Sequence, residues 1–193
     1  MSATKEKTAK VKDAYMDVII AGFGGQGVLS MGKMLAEAAM AEGHEVSWLP
    51  SYGPEMRGGT SNVSVNISDK PIGAPIISEG DATCVMAMNL PSLTKFESFV
   101  KPGGLLLINS SIIDKKATRT DITVYYVPAN ELANELGNAK TANMIMLGAY
   151  LEKSKVVKPD TMLDQLRAVF GAKKPQLVQL NENALKKGAD SAK

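Results

Sequence analysis

The spacing of apolar and polar positions changes several times along the chain, and each change marks an element. Met16-Asp17-Val18-Ile19-Ile20-Ala21-Gly22 is a short β-branched run stopped by glycine, which reads as a buried strand. From Val28 the period becomes helical: Val28, Met31, Leu35, Ala38 and Ala39 fall three or four residues apart, and Gly43 closes the helix. His44-Glu45-Val46-Ser47-Trp48-Leu49 returns to strand character. Residues 16–49 thus have the length of a parallel strand–helix–strand crossover, for which a right-handed connection is expected.

Pro50 to Gly59 is dense in turn formers. Beyond it Val63, Val65 and Ile67 alternate with Asn62, Ser64 and Asn66, the mark of a half-buried strand, expected to be antiparallel and to turn at Asp69-Lys70-Pro71. Thr83–Met88, Leu105–Asn109 and Ile122–Val127 are further strands, the second entered through a turn at Pro102-Gly103-Gly104, and Pro91–Val100 is a short helix. Helical patterns follow at Asn130–Leu136, Ala142–Leu151 and Asp160–Phe170, then a polar stretch from Gln176 to Ala189. The expected fold is α/β: one three-layer, Rossmann-like domain at 16–185, with a mostly parallel sheet, an antiparallel addition and a helical C-terminal part. Residues 1–15 and 186–193 are expected to be polar tails.

Composition narrows the chemistry. In 193 residues, 22 Lys and Arg against 20 Asp and Glu give a net charge of +2, which argues against a dedicated nucleic-acid binder. A single cysteine, Cys84, in an apolar run and a single histidine, His44, exclude a four-thiolate iron–sulfur cluster or a Cys/His zinc site within this chain, and no metal ligand is assigned. Both residues read as structural, and Met31, Met34, Met86, Met88, Met144 and Met146 read as core filling. The polar N-terminus and the lack of any window of ~20 apolar residues predict a cytoplasmic chain with no membrane contact.

Two loops carry candidate chemistry. Gly22-Phe23-Gly24-Gly25-Gln26-Gly27 satisfies G-x-G-x-x-G between a strand and a helix, where glycines permit a tight turn and close backbone approach. A dinucleotide site also wants an acidic residue at the end of the second strand. Trp48-Leu49-Pro50-Ser51 supplies none, and Glu42 and Glu45 come too early. That departure counts against a nicotinamide cofactor, and the loop is open to four readings: a close-packed turn without nucleotide, such a cofactor, another phosphate-bearing ligand, or a surface for a partner's backbone. The second loop, Ser51-Tyr52-Gly53-Pro54-Glu55-Met56-Arg57-Gly58-Gly59-Thr60, sets Tyr52, Glu55 and Arg57 on a backbone shaped by glycine and proline. Its plain reading is a rigid loop with a surface Glu55–Arg57 pair.

Together with Met88-Asn89-Leu90-Pro91-Ser92-Leu93 and the run Lys101–Ser111, these loops resemble the gamma subunits of 2-oxoacid:ferredoxin oxidoreductases, over roughly residues 16–152. The second loop is most similar to the 2-oxoglutarate branch. The resemblance implies a multisubunit enzyme that converts a 2-oxoacid, coenzyme A and oxidised ferredoxin into an acyl-coenzyme A, carbon dioxide and reduced ferredoxin, or the reverse. For 2-oxoglutarate the product is succinyl-coenzyme A. It further implies thiamine diphosphate, Mg2+ and iron–sulfur clusters held by alpha, beta and delta-type partners, with no catalytic residue on this chain alone and no activity of the chain by itself. On that reading Gly22, Gly24, Gly25, Gln26, Gly27, Tyr52, Gly53, Pro54, Glu55, Arg57, Gly58, Gly59 and Asn89 form a cofactor-binding or interface surface. Arg57 would meet a carboxylate or phosphate, and the helix N-terminus at Gly25–Gly27 would suit the phosphates of coenzyme A. A homodimer is left open. The alternatives are the same family acting on branched-chain 2-oxoacids or indolepyruvate, a free-standing nucleotide- or coenzyme A-binding α/β protein, and an NAD-dependent dehydrogenase.

Overall fold

The computed structural model describes residues 15–52, 60–171 and 174–193. Six strands, β1 (Tyr15–Phe23), β2 (Glu45–Tyr52), β3 (Thr60–Ser68), β4 (Ala82–Ala87), β5 (Val100–Asn109) and β6 (Thr123–Val127), form one sheet in the order β2-β3-β1-β4-β5-β6. Pairings β1–β4, β4–β5 and β5–β6 are parallel, and β3 runs antiparallel to both β1 and β2. The sheet is therefore mostly parallel with one antiparallel strand, as expected for the α/β class. The crossover from β1 to β2 differs from expectation in one respect: the two strands run the same way but are not neighbours, because β3 is inserted between them.

That insertion explains why β3 is more buried than its alternation suggests. Val63, Val65 and Ile67 are fully buried, but on the opposite face Asn66 and Ser68 are also only 1% and 3% exposed. Asn66 is tolerated there because its Nδ2 donates to Oδ1 of its cross-strand neighbour Asp17 at 2.5 Å. His44 and Asp69 meet at 2.8 Å (Nδ1 to Oδ1), tying the chain just before β2 to the chain just after β3.

Helix α1 (Val28–Ala41) buries Val28, Met31, Met34, Leu35, Ala38 and Ala39 against the sheet. With α3 (Ala129–Glu135), α4 (Ala142–Ser154), α5 (Pro159–Phe170) and α6 (Pro175–Ser191), it packs around a core that includes Val18, Ile20, Val63, Val65, Ile67, Cys84 and Met86. Cys84 and all six methionines named above are buried, as core residues should be. The other face is covered more thinly. The seven-residue helix α2 (Leu90–Phe96), Ile77 and the strap after β5 pack on Ile19, Ala21, Val85, Leu106 and Ile108.

Three boundaries differ from the sequence reading. Strand β5 begins at Val100 and runs through Pro102-Gly103-Gly104, with its register against β4 shifting between Ala82 and Cys84, so those residues belong to a strand rather than to a turn. Helix α2 stops at Phe96 and tightens into a 3-10 turn at Glu97–Phe99. The polar stretch near the C-terminus is helix α6, which runs on to Ser191 in the expected tail at 186–193, and Ala192 just beyond it is 2% exposed. Its buried stripe of Asn181, Ala184, Leu185 and Gly188 holds it against α4, where Gly188 faces the Ile145 carbonyl and Gly148 faces that of Leu185.

Candidate functional site

Strand order reverses between β1 and β4. The chain leaves β1 for β2 and β3 on one side of the sheet, and β4 leads to β5 and β6 on the other. The crevice beyond the C-terminal ends of β1 and β4 is where open α/β sheets generally place their ligands. Two segments from the sequence reading meet there, the glycine loop after β1 and Met88-Asn89 after β4.

The side chain of Gln26 joins them. Its Oε1 accepts the backbone N–H of Phe23 at 2.7 Å, and its Nε2 donates to the Met88 carbonyl at 3.0 Å. Asn89 Nδ2 donates to the same Gln26 Oε1 at 3.3 Å, while Asn89 Oδ1 accepts the Ser92 N–H at 2.9 Å and caps α2. Both ends of the Asn89 side chain, only 3% exposed, are thus engaged inside the protein. Gly22 is required by proximity: a Cβ there would lie 2.6 Å from Gln26 Oε1 and 2.9 Å from Met88 Cβ. Gly27 caps α1 with φ 76°, a left-handed conformation, and a side chain on it would run into the Asn143 carboxamide at the start of α4.

Gly24 and Gly25 are exposed at the outside of the turn. Gly27 offers no side-chain cap, and the first turn of α1 holds no acidic residue. Neither a capping side chain nor an acidic residue of its own first turn therefore offsets the partial positive charge at the start of α1. A phosphate on the outer side of the turn would meet that field, whereas the inner side is occupied by the Gln26 carboxamide.

Tyr52 is the last residue of β2, and its backbone pairs with Ser61, which pairs in turn with Gly22. One row across three strands therefore aligns the end of β2, the start of β3 and the first residue of the glycine motif. Gly53, Pro54, Glu55, Met56, Arg57, Gly58 and Gly59, which connect β2 to β3, lie outside the described residues.

The sequence reading missed a set of amides and hydroxyls at the C-terminal edge of the sheet. Asn109, fully buried at the end of β5, donates from Nδ2 to Asn130 Oδ1 at 2.7 Å, and its Oδ1 has no hydrogen-bond partner among the described residues. Ser111 Oγ accepts the N–H groups of Asn130 and Glu131, each at 3.1 Å. The available signal was position: Asn109 ends an apolar strand, and Asn130 and Asn143 are the second residues of α3 and α4. Among the described residues no group of three His, Cys, Asp or Glu side chains is placed to hold a metal ion, and no helix is long and apolar enough to cross a membrane.

The model of the pyruvate ferredoxin/flavodoxin oxidoreductase family matches residues 17–191. The ketoisovalerate oxidoreductase subunit VorA of Methanothermobacter marburgensis is 40% identical over 177 residues, covering 91% of this chain, but the chain spans only 36% of that longer relative. The 2-oxoglutarate synthase subunit KorC of Methanocaldococcus jannaschii is 31% identical over 180 residues, covering 92% of this chain and 94% of the relative. Among solved structures, the gamma subunit of a keto/oxoacid ferredoxin oxidoreductase from Geobacter sulfurreducens superposes with a TM-score of 0.77 at 28% identity, covering 92% of this chain and 98% of that one. A 2-oxoglutarate:ferredoxin oxidoreductase from Magnetococcus marinus shares the fold with a TM-score of 0.84 at 23% identity, over 92% of this chain and 31% of that one. The chain belongs to the pyruvate ferredoxin/flavodoxin oxidoreductase family, and its relatives of similar length are gamma-type subunits.

Proposed function

We propose that the chain serves as the gamma-type subunit of a cytoplasmic 2-oxoacid:ferredoxin oxidoreductase, shaping one wall of an active site whose cofactors are held by partner chains. The observation that carries this reading is the row Tyr52–Ser61–Gly22, which brings the start of the second loop and the glycine loop to the same edge of the sheet. A surface built from two loops at a strand-order reversal suits contact with a ligand or with another chain.

Thiamine diphosphate and iron–sulfur clusters, bound on partners, would supply the decarboxylation and the one-electron steps. This chain's part would be binding and exclusion. The exposed Gly24–Gly25 turn and the uncapped start of α1 favour the phosphates of coenzyme A on the outer side of the loop. Gln26 and Asn89 would hold the glycine loop in register with the segment after β4, and Arg57 would meet a carboxylate or phosphate across the subunit boundary.

For the substrate, identity favours a branched-chain 2-oxoacid, since two VorA relatives stand at 40% and 38%. The second reading is 2-oxoglutarate, favoured by the wording of the second loop and by KorC relatives at 31% to 35%. Mild affinity purification of the tagged chain from its own cells tests both. A brown assembly that reduces ferredoxin with coenzyme A and 2-oxoisovalerate supports the first, and a preference for 2-oxoglutarate supports the second. A colourless chain recovered alone, binding a nucleotide or coenzyme A at micromolar affinity, would overturn the subunit reading in favour of a free-standing binding protein.

A further inference from the structure

Helices α4 and α6 cross at two glycines. Gly188 lies against the Ile145 carbonyl and Gly148 against the Leu185 backbone, so closely that neither position has room for a side chain. Beside this crossing the first two turns of α5 complete a groove of about 560 Å3. The start of α5 is tied down from outside, because the Lys158 N–H donates to Glu42 Oε1 at 2.7 Å just beyond α1. The volume falls inside the ~300–1,000 Å3 range of small-molecule sites.

The floor and the mouth of the groove differ in chemistry. Leu151, Val157, Met162 and Leu185 form a buried floor, with Leu163 partly buried beside them. No lining residue is aromatic and none of the polar ones is buried, so the floor has neither a stacking surface for a base nor donors for a sugar. It suits an aliphatic chain. Every polar group at the mouth is charged. Lys155 pairs with Glu152 at 2.7 Å, Lys186 with Glu182 at 2.8 Å and Lys193 with Asp190 at 2.6 Å. Those three lysines are 62–65% exposed, and exposed pairs are weak enough to exchange for a ligand's charge. Lys158 makes four lysines against three carboxylates in the lining, and Lys193 and Lys153 reinforce Lys155 in holding the Glu152 carboxyl below its ordinary value. The field at the mouth therefore favours an anion. Lys155 is also the one non-glycine residue with positive φ among the described residues, at 52°, where glycine usually ends a helix. The chain thus keeps a cation at the mouth in a backbone conformation that suits glycine better.

We propose that this groove binds a medium-chain aliphatic carboxylate, its hydrocarbon chain on the floor of Leu151, Val157, Met162 and Leu185 and its carboxylate among Lys155, Lys158 and Lys193 at the mouth. The site lies at the far end of α4 from the glycine loop. Asn143, which touches Gly27, and Lys155 are separated by the length of that helix, ~18 Å along its axis. A carboxylate bound here leaves the glycine loop open, so the inference does not depend on the subunit reading.

The test titrates the full-length chain with decanoate, kept below the concentration at which it forms micelles, and follows heat and side-chain methyl resonances. The expected result is saturation at one decanoate per chain, with the main shifts at the methyls of Leu151, Val157, Met162 and Leu185. Ala189→Phe, which fills the groove from α6, should weaken binding at least ~10-fold. Lys155→Gly should weaken it ~3-fold without lowering the melting temperature, since glycine accepts the positive φ. Decylamine, with the same chain and the opposite charge, should bind at least ~3-fold more weakly than decanoate. Val169→Ser, on α5 but outside the groove, should bind as wild type does. Absence of saturation overturns the proposal, as do shifts centred elsewhere in the chain, which decide the matter even if Ala189→Phe fails to fold. Equal affinity for decanoate and decylamine overturns the carboxylate. Binding that appears only in a chain lacking residues 1–14 would make the groove the seat of that segment and overturn the ligand.

Discussion

Gln26 donates its side-chain amide to the backbone carbonyl of Met88 at 3.0 Å, spanning the point where the strand order of the sheet reverses. The same side chain accepts the Phe23 N–H, so one residue fixes both the shape of the glycine turn and its distance from Asn89. Gln26→Ala would leave that N–H and that carbonyl without their partners, at a cost of about 1–3 kcal/mol. Urea unfolding of the purified chain measures it. Gln26→Glu should keep the bond from Phe23 but lose the donor towards Met88, and it should recover stability at low pH as the carboxyl regains its proton. Equal stability of wild type and Gln26→Ala would show that the carboxamide does not join the loops.

Gly27 and Asn143 are coupled by contact, and the coupling can be measured. Gly27→Ala meets two obstacles, a left-handed backbone at φ 76° and the Asn143 carboxamide. The first costs ~1–2 kcal/mol for a residue with a Cβ. Asn143→Ala should relieve the second obstacle and leave the first. A double-mutant cycle should therefore give a favourable interaction energy of at least ~0.5 kcal/mol, and strict additivity would contradict the contact.

Arg57 stands in the connection between β2 and β3, outside the described residues. If it meets a carboxylate or phosphate in the assembled enzyme, Arg57→Ala should lower turnover or coenzyme A affinity by at least about tenfold, while Arg57→Lys restores charge but not two-pronged geometry and recovers only part of it. Steady-state kinetics of the whole complex separates the two constants. Unchanged values in Arg57→Ala would remove this residue from the site.

How much of this was legible in the sequence depended on which side chains did the packing. Strands β1, β4 and β5 announced themselves through Ile19-Ile20, Val85-Met86 and Leu106-Leu107-Ile108, because burial on both faces demands apolar runs. The position of β3 between β1 and β2 did not, since Asn62, Ser64 and Asn66 read as solvent-facing when one of them is paired with Asp17 in the interior and the others are half-buried. Helix α6 was missed because its buried stripe is made largely of Ala184, Gly188 and Asn181, small or polar residues that contribute little to an apolar period. The glycine motif was readable as a turn, but the role of Gln26 was not. It depends on Met88 being brought alongside by the parallel pairing of β1 with β4, a contact between residues 62 positions apart.

Glu97 organises the strap that replaces a helix between the parallel strands β5 and β6. Only 8% exposed, it accepts with one oxygen the Thr118 N–H at 2.5 Å, the Thr118 hydroxyl at 3.0 Å and the Arg119 N–H at 2.9 Å. Arg119 in turn donates to the carbonyl of Val100 and pairs with Asp121. Glu97→Ala should orphan the amides of residues 118 and 119 at a cost of about 1–3 kcal/mol. Their hydrogen exchange should accelerate well beyond that of β5, which opens only with the sheet. Glu97→Gln, which keeps an accepting oxygen, should fall between. If exchange at residues 118 and 119 is unaltered in Glu97→Ala, the strap is held by something other than this carboxylate.

Cys84 links the core to the alkaline limit of stability. Burial pushes its thiol well above the ordinary value near 9.0, and burial likewise raises the phenol of Tyr150, with the Cys84 thiol a further contribution. A group whose proton is held more tightly in the folded chain than in the unfolded one stabilises the fold fully below its unfolded pKa. Above that value the unfolded thiol gives up its proton while the folded one does not, and the advantage declines as pH rises towards the folded value. Stability should therefore be insensitive to these groups near neutrality and fall from about pH 9 upward, with Tyr150 adding to the loss above about pH 10. Cys84→Ala should cost about 1–2 kcal/mol at pH 7 through lost packing and flatten the first part of that decline. Thiol-labelling of the native chain at pH 8 should proceed only as fast as the core opens, far more slowly than in urea. Rapid labelling without denaturant would place Cys84 at an accessible surface and remove burial as the cause of its raised pKa.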